Sequence, residues 1–250
     1  MKRIFEQMGM LNSKWSAFLL LFALAASLQS CFFIFGNEEN FPSQGEIEQT
    51  FNFSGFDRLD MGNAFDIRVQ QGRDFQIRVR GDKVDVDDLV VSVRGGELQV
   101  YYRHNRSNRY PMYVDVTMPT LAGVDFSGAS TSTINGFSNQ QEVDLRLSGA
   151  SRSTVNIGSK YLNIDLSGAS TLDLVGNSFR IDSEVSGASL FNAFGLNCEE
   201  GLVDVSGASR AKVNVSRELR AIASGASSIR YRGSAQVTVS ASGGSVVERD

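Results

Sequence analysis

The chain has 250 residues, 42% of them hydrophobic and 21% charged, with 24 glycines, 3 prolines and a formal charge of -4. That apolar content is enough for a packed core and excludes wholesale disorder, and a mild acid excess with no long basic block excludes nucleic acid as a partner. A lone histidine, His104, excludes His-based triads and multi-histidine metal centres, so no metal and no cofactor is expected.

The N-terminus reads as an address. Lys2, Arg3 and Lys14 precede an apolar run from Trp15 to Leu28 that is too short for a comfortable membrane span. The run ends in Leu28-Gln29-Ser30-Cys31, which resembles the lipobox of bacterial lipoproteins. Small Ser30 suits the peptidase subsite, and the Cys31 thiol would take the diacylglyceryl group. Residues 1–30 are therefore expected to be a lipoprotein signal peptide. The expected location is the cell envelope, with the lipid anchor in the outer membrane. The competing reading is an ordinary secretory signal with a stray cysteine. Phe32-Phe33-Ile34-Phe35 suits the bilayer interface, and residues 36–45 form a polar tether, so anchor and tether occupy 31–50. Cys198 has no second thiol left to pair with and is expected at the edge of the core.

From residue 51 to residue 120 the pattern is period two. Phe65-Asp66-Ile67-Arg68-Val69-Gln70 and Phe75-Gln76-Ile77-Arg78-Val79-Arg80 alternate about Gly72, which predicts a hairpin or two successive strands. The acid-rich stretch Val84 to Leu89 predicts a short helical turn or loop. Val90 to Val93 and Leu98 to Tyr102 predict two strands about a tight turn at Gly95-Gly96. Between Tyr102 and Tyr110 lies one basic loop, whose Arg103, Arg106 and Arg109, with Tyr102, are candidates for contact with an anion or a glycan. The alternative is a solvated loop tip.

From residue 121 to residue 250 the chain repeats. Ser-Gly-Ala-Ser begins at Ser127, Ser148, Ser167, Ser186, Ser206 and Ser224, and Ser-Gly-Gly-Ser at Ser242. The intervals are thus 21, 19, 19, 20, 18 and 18 residues. Such a period marks a stacked fold in which no repeat buries its apolar face alone. One and three residues before each first serine the positions are mostly apolar, as in Leu166 and Ile164 or Val205 and Val203, with a mostly polar residue between. The seventh residue after it is apolar again in Ile134, Val155, Leu174, Ala193 and Val213. Each rung is predicted to hold two strands, with the tetrapeptide at one corner and a Gly- or Asn-containing turn at the other. Equivalent residues recurring once per rung favour coils laid in register over stacked hairpins, with ~4.8 Å between strands. The prediction is an all-β chain: a parallel β-helix, or solenoid, of about seven rungs, preceded by a β-rich N-terminal part (51–120) of the same stack.

The chain resembles a family of bacterial envelope proteins, the putative auto-transporter adhesin, head GIN domain family, from about Phe56 to Val247. The resemblance rests on Phe56-Asp57-Arg58-Leu59, on Asn63-Ala64-Phe65-Asp66-Ile67-Arg68-Val69, on Leu98-Gln99-Val100 and on Met118-Pro119-Thr120-Leu121 running into the repeats. It implies a β-helical fold and an adhesive role, and it brings no catalytic residues with it.

Two further surfaces are candidates for chemistry. Asp125, Asp165, Glu184 and Asp204 stand two residues before the corner, where stacked carboxylates could act as acid and base on a polysaccharide or hold calcium. Arg146 interrupts that row, and alternating outward charge is also what a solvated strand face shows. The serines of the corner could form a hydroxyl ladder for glycans or ordered water, or simply build the turn. The reading carried forward is a non-enzymatic binding module for carbohydrate or an envelope protein, attached to the membrane by lipid. A carbohydrate-active enzyme using the acidic row is the alternative.

Overall fold

The computed structural model describes residues 41–250. The expected signal peptide, Cys31 and the first half of the expected tether lie outside the described residues. The described chain is a parallel β-solenoid of about 7 turns. In its regular part five long strands each make one coil: β9 (Thr131–Leu147), β10 (Arg152–Leu166), β11 (Thr171–Val185), β12 (Leu190–Val205) and β13 (Arg210–Ala223). They pair parallel and in register, so that Val155 lies on Ile134 and Leu174, and Leu166 on Leu147 and Val185. The alternation of the sequence thereby becomes ladders of like residues. Val155, Leu174 and Val213 are fully buried along one face, and Leu166, Val185 and Val205 along the other. In the last coil, strands β14 (Ser228–Arg232), β15 (Gln236–Ala241) and β16 (Val246–Arg249), Val239, the register partner of buried Ala221, is half exposed because no described coil covers it.

Each rung was expected to hold two strands; the structure instead runs one bent strand through the second corner. The corners themselves pair, Gly176 with Leu196 and Asn177 with Asn197, so ladder hydrogen bonding continues around the bend. Length differences between coils are absorbed there as register shifts.

The tetrapeptide corner is a true break in the strand. Its glycines adopt φ between 69° and 75°, the left-handed region that residues with a Cβ avoid. This turn lets each following alanine N–H donate to the glycine carbonyl one rung below, as Ala169 does to Gly149 and Ala188 to Gly168, both at 2.7 Å. Glycine and alanine face outward, while the fourth serine turns inward: Ser151, Ser170, Ser189 and Ser209 are all buried. In Ser151 and Ser170 the hydroxyl donates to the carbonyl of the first serine, at 2.7 and 2.8 Å, while the Ser209 hydroxyl accepts from the Ser189 N–H at 3.1 Å. The hydroxyl ladder is therefore internal and serves the turn. A second buried pair, Ser132 and Ser153, joins hydroxyls at 2.7 Å beneath the first face.

The N-terminal strands belong to the same stack but enter out of sequence order. Strands β2 (Arg58–Met61) and β3 (Asp66–Gln71) form a coil on β8 (Gly123–Phe126) and β9. The later strands β6 (Glu97–Tyr102) and β7 (Met112–Met118) form the coil on its other side. Of the two arrangements expected here, the structure holds two successive strands and not a hairpin: β7 is inserted between β3 and β4 (Gln76–Asp82) and pairs with both. Hydrogen bonds made by a segment some forty residues downstream outweigh the short turn at Gly72. The hairpin of β5 (Leu89–Arg94) and β6 about Gly95-Gly96 forms as expected, and the helical turn α1 spans Lys83–Val86. Antiparallel β1 (Glu46–Phe51), β4 and β5 close this end. The outermost strand β1 carries Glu46 and Glu48, which pair with Arg80 and Arg78 and make an edge unattractive to other strands.

Candidate functional site

Three surfaces carry polar side chains in organised arrays. The first is the basic loop, and its arginines face acids that the sequence reading left unassigned. Arg109 donates to Asp85 and to Asp88, each at 2.7 Å, and its guanidinium lies 3.7 Å from the centre of the Tyr102 ring. Arg106 approaches the same two carboxylates at 4.0 and 3.9 Å and covers the ring of Phe41. His104 also pairs with Asp88. Asp85 and Asp88 are buried, and the backbone N–H of Tyr110 donates to Asp85 at 2.8 Å. Burial works against the Asp88 carboxylate, but the bonds from His104 and Arg109 outweigh it and hold its pKa below the ordinary value. Burial pushes the Tyr102 hydroxyl above its usual range. The loop thus knots the cap together through Arg109, with Arg106 half-buried and Arg103 exposed.

The second surface is the acidic face. Asp125, Arg146, Asp165, Glu184 and Asp204 are register partners in successive rungs and form one outward row. The row begins earlier than the repeat suggested, with Asp60 beside Asp125. Local periodicity could not reveal Asp60, since β2 reaches the stack through a non-local pairing. A parallel row two residues earlier holds Asp144, Asn163 and Asp182, and the period of two would have found it. Arg58 bonds Asp144 at 2.9 Å and Asn163 bonds it at 2.8 Å. Burial opposes the Asp144 charge, but these donors hold its pKa low. Burial, then repulsion from Asp125 and Glu97, raises Asp60; burial, with Glu97 and Asp165 and against Arg146, raises Asp125. A shallow groove of about 200 Å³ runs over Asp144, Arg146, Asp165 and Glu184. Asp165 and Glu184 stand exposed on a flat face. Among the described residues no three His, Cys, Asp or Glu side chains converge to hold a metal.

The third surface was missed by sequence reasoning. At the second corner a groove of about 460 Å³ is lined by Asn177, Phe179, Asn197, Glu199, Asn214 and Ser216. Beneath it Cys198 is buried, donating to the Glu200 carbonyl at 2.9 Å, and burial pushes its thiol up to about 11. The signal for this groove lay in the fall of the repeat interval from 20 to 18 residues after Ser206.

Fold and surfaces together define a capped parallel β-solenoid with long polar outer faces, a class built to present surface. The chain belongs to the putative auto-transporter adhesin, head GIN domain family, whose model matches residues 55–235. A solved structure described as a putative adhesin from Bacteroides fragilis is similar at a TM-score of 0.79 and 20% identity, covering 84% of this chain and 99% of that one. One from Parabacteroides distasonis with the same description has a TM-score of 0.70 and 18% identity, over 82% and 97% of the two chains. A second from that organism, described as a putative lipid binding protein, has 0.69 and 16%, over 83% and 98%. At these identities the likeness establishes the shared fold. No curated protein matches the chain.

Proposed function

We propose that this is a non-enzymatic adhesion module of the bacterial cell envelope, anchored by lipid at Cys31 and presenting the faces of a rigid solenoid to a partner. The observation that carries the reading is the in-register pairing of both strand faces from β9 to β13, with shifts confined to the second corner, which fixes outward side chains on one stiff scaffold ~4.8 Å apart per rung. A binder gains from such a scaffold because little side-chain or loop ordering remains to be lost on contact. Membership in an adhesin-head family and similarity to chains described as adhesins support the same conclusion. The acidic row favours display over catalysis. Asp165 and Glu184 stand exposed to solvent, and Arg146 interrupts the line of carboxylates.

The test has two parts. Cys31→Ala should leave an unprocessed precursor that is lost from the envelope; normal processing would refute the anchor. Cells displaying the wild-type protein should adhere to partner surfaces that cells lacking it do not, and purified protein should release no products from polysaccharides. Depolymerisation that disappears in an Asp165→Asn, Glu184→Gln variant with unchanged melting would overturn the non-enzymatic reading.

A further inference from the structure

We infer that the groove at the second corner is a binding site for a neutral oligosaccharide laid along the solenoid axis; the inference rests on the adhesion reading and names its contact. The groove exists because coil length changes. The coil beginning at Ser186 has 20 residues and the one beginning at Ser206 has 18. The surplus cannot enter either face, since Leu190–Ala193 stays paired with Arg210–Val213, and Gly201–Val205 with Leu219–Ala223. It is expelled at the corner, where four residues lie between Ala193 and Cys198 but only Asn214 between Val213 and Val215; one of the three extra residues is given back just beyond, where Glu199 lies opposite both Ser216 and Arg217. The longer coils therefore overhang the shorter one and leave a shelf.

The chemistry of the shelf matches a sugar on each count. A pyranose offers an apolar C–H face and a rim of hydroxyls that both donate and accept. The half-exposed ring of Phe179 supplies an apolar platform. It packs T-shaped against Tyr161, with centroids 6.2 Å apart, and the Arg217 guanidinium lies over the ring at 5.2 Å from its centre. Asn177, Asn197 and Asn214 supply amides, each with a donor pair and an acceptor, the inventory that vicinal hydroxyls require. Asn214 donates to Asn197 at a long 3.4 Å, and the exposed Asn177 side chain makes no hydrogen bond among the described residues. Asn177 and Asn197 are register partners, so their spacing is the ~4.8 Å of neighbouring strands, about the length of one sugar residue in an extended chain. Glu199 on the rim and Glu200 beside it are paired with Arg217, and Glu200 also with Arg180, so the charges of the rim offset one another and offer no excess of either sign to a charged glycan. Ring, amides and rung spacing thus select a neutral, extended oligosaccharide.

The experiment uses the full mature chain on an array of neutral and acidic oligosaccharides, with affinities for hits measured by calorimetry. Wild type should bind neutral extended oligosaccharides. Phe179→Ala and Asn177→Ala should each weaken binding at least tenfold, and Phe179→Tyr, which keeps the platform, should retain it. Asn177→Ala removes an exposed side chain without internal bonds, so its loss of binding cannot be ascribed to misfolding; melting curves should be unchanged. Glycan binding indifferent to all three changes would overturn the shelf while leaving the adhesion module intact. Absence of glycan binding by wild type, with cells still adhering, would also overturn the shelf alone. Neither binding nor adherence would overturn both.

Discussion

Replacing Gly168 by alanine separates the two reasons a glycine stands at the corner. Its φ of 73° costs a residue with a Cβ about 1–2 kcal/mol. An alanine Cβ would also lie 2.4 Å from the Gly149 carbonyl oxygen, far inside contact distance. That oxygen accepts the Ala169 N–H at 2.7 Å, and the Gly168 carbonyl in turn accepts from Ala188, so relief of the clash strains bonds on both sides. Crowding adds about 1–3 kcal/mol, and a weakened hydrogen bond about 1 kcal/mol. The total is about 3–6 kcal/mol, or a fall in melting temperature of roughly 10–20 °C for a domain of this size. Gly95 is the control: its φ is 58°, yet nothing lies within 4 Å of where its Cβ would stand. Gly95→Ala should therefore show only the backbone cost, about 1–2 kcal/mol. Gly243, with φ of 69° and the Gly225 oxygen at 2.9 Å, should fall between them. Calorimetry or urea midpoints on the three variants give the order. Equal shifts for Gly168→Ala and Gly95→Ala would refute the clash, and equal shifts for Gly168→Ala and Gly243→Ala would refute a stack in which interior rungs carry two neighbours.

Arg109→Ala should cost about 3 kcal/mol in urea unfolding at neutral pH, because it takes a directly bonded cation from each of two buried carboxylates. Asp88 has a lowered pKa, so its stabilising contribution is present above its unfolded value near 3.8 and is lost as pH falls through the depressed one. The Arg109→Ala deficit should shrink accordingly in melts carried below pH 3.8, and a deficit independent of pH would argue against the carboxylates. Asp60→Asn should have the opposite sign: the raised pKa of Asp60 penalises the folded state at neutral pH, so the variant should melt higher at pH 7 and lose that advantage on acidification. Cys198 should resist thiol reagents until urea unfolds the chain, since it is buried with its thiol at about 11; rapid labelling of the native protein would contradict its placement.

The regular part of the fold was readable because its determinants are local and repeat. A buried position in one rung, such as Leu174, implies its counterparts Val155 and Ala193, and the glycine at the corner announces the turn. What resisted reading was non-local. Nothing near Gly72 tells that β7 will enter between β3 and β4. The acids of Asp85 and Asp88 lie some twenty residues from Arg109, in an element of different character. For the same reason the basic loop reads in sequence as a free cationic tip, although its Arg109 is folded against the cap. The acidic row was legible in part, since Asp125 to Asp204 follow the repeat, while Asp60 joins it only through β2.

The repeat and its departures carry different information. Where every coil has the same length, ladders close over one another and the outer surface is as uniform as the sequence; side chains there are interchangeable, as the mixed row of Asp125, Arg146 and Asp165 illustrates. A difference of two residues between neighbouring coils cannot be shared among well-paired strands, because a one-residue slip would turn buried side chains such as Val203 and Ala221 outward. The difference is concentrated at the corner, which already tolerates register shifts, and there it creates a concavity with side chains of its own. In a solenoid of this kind the conserved spacing of the core thus dictates where individuality can arise: at the second corner, beside the coil whose length changes. Asn177, Phe179 and Asn197 sit at that place.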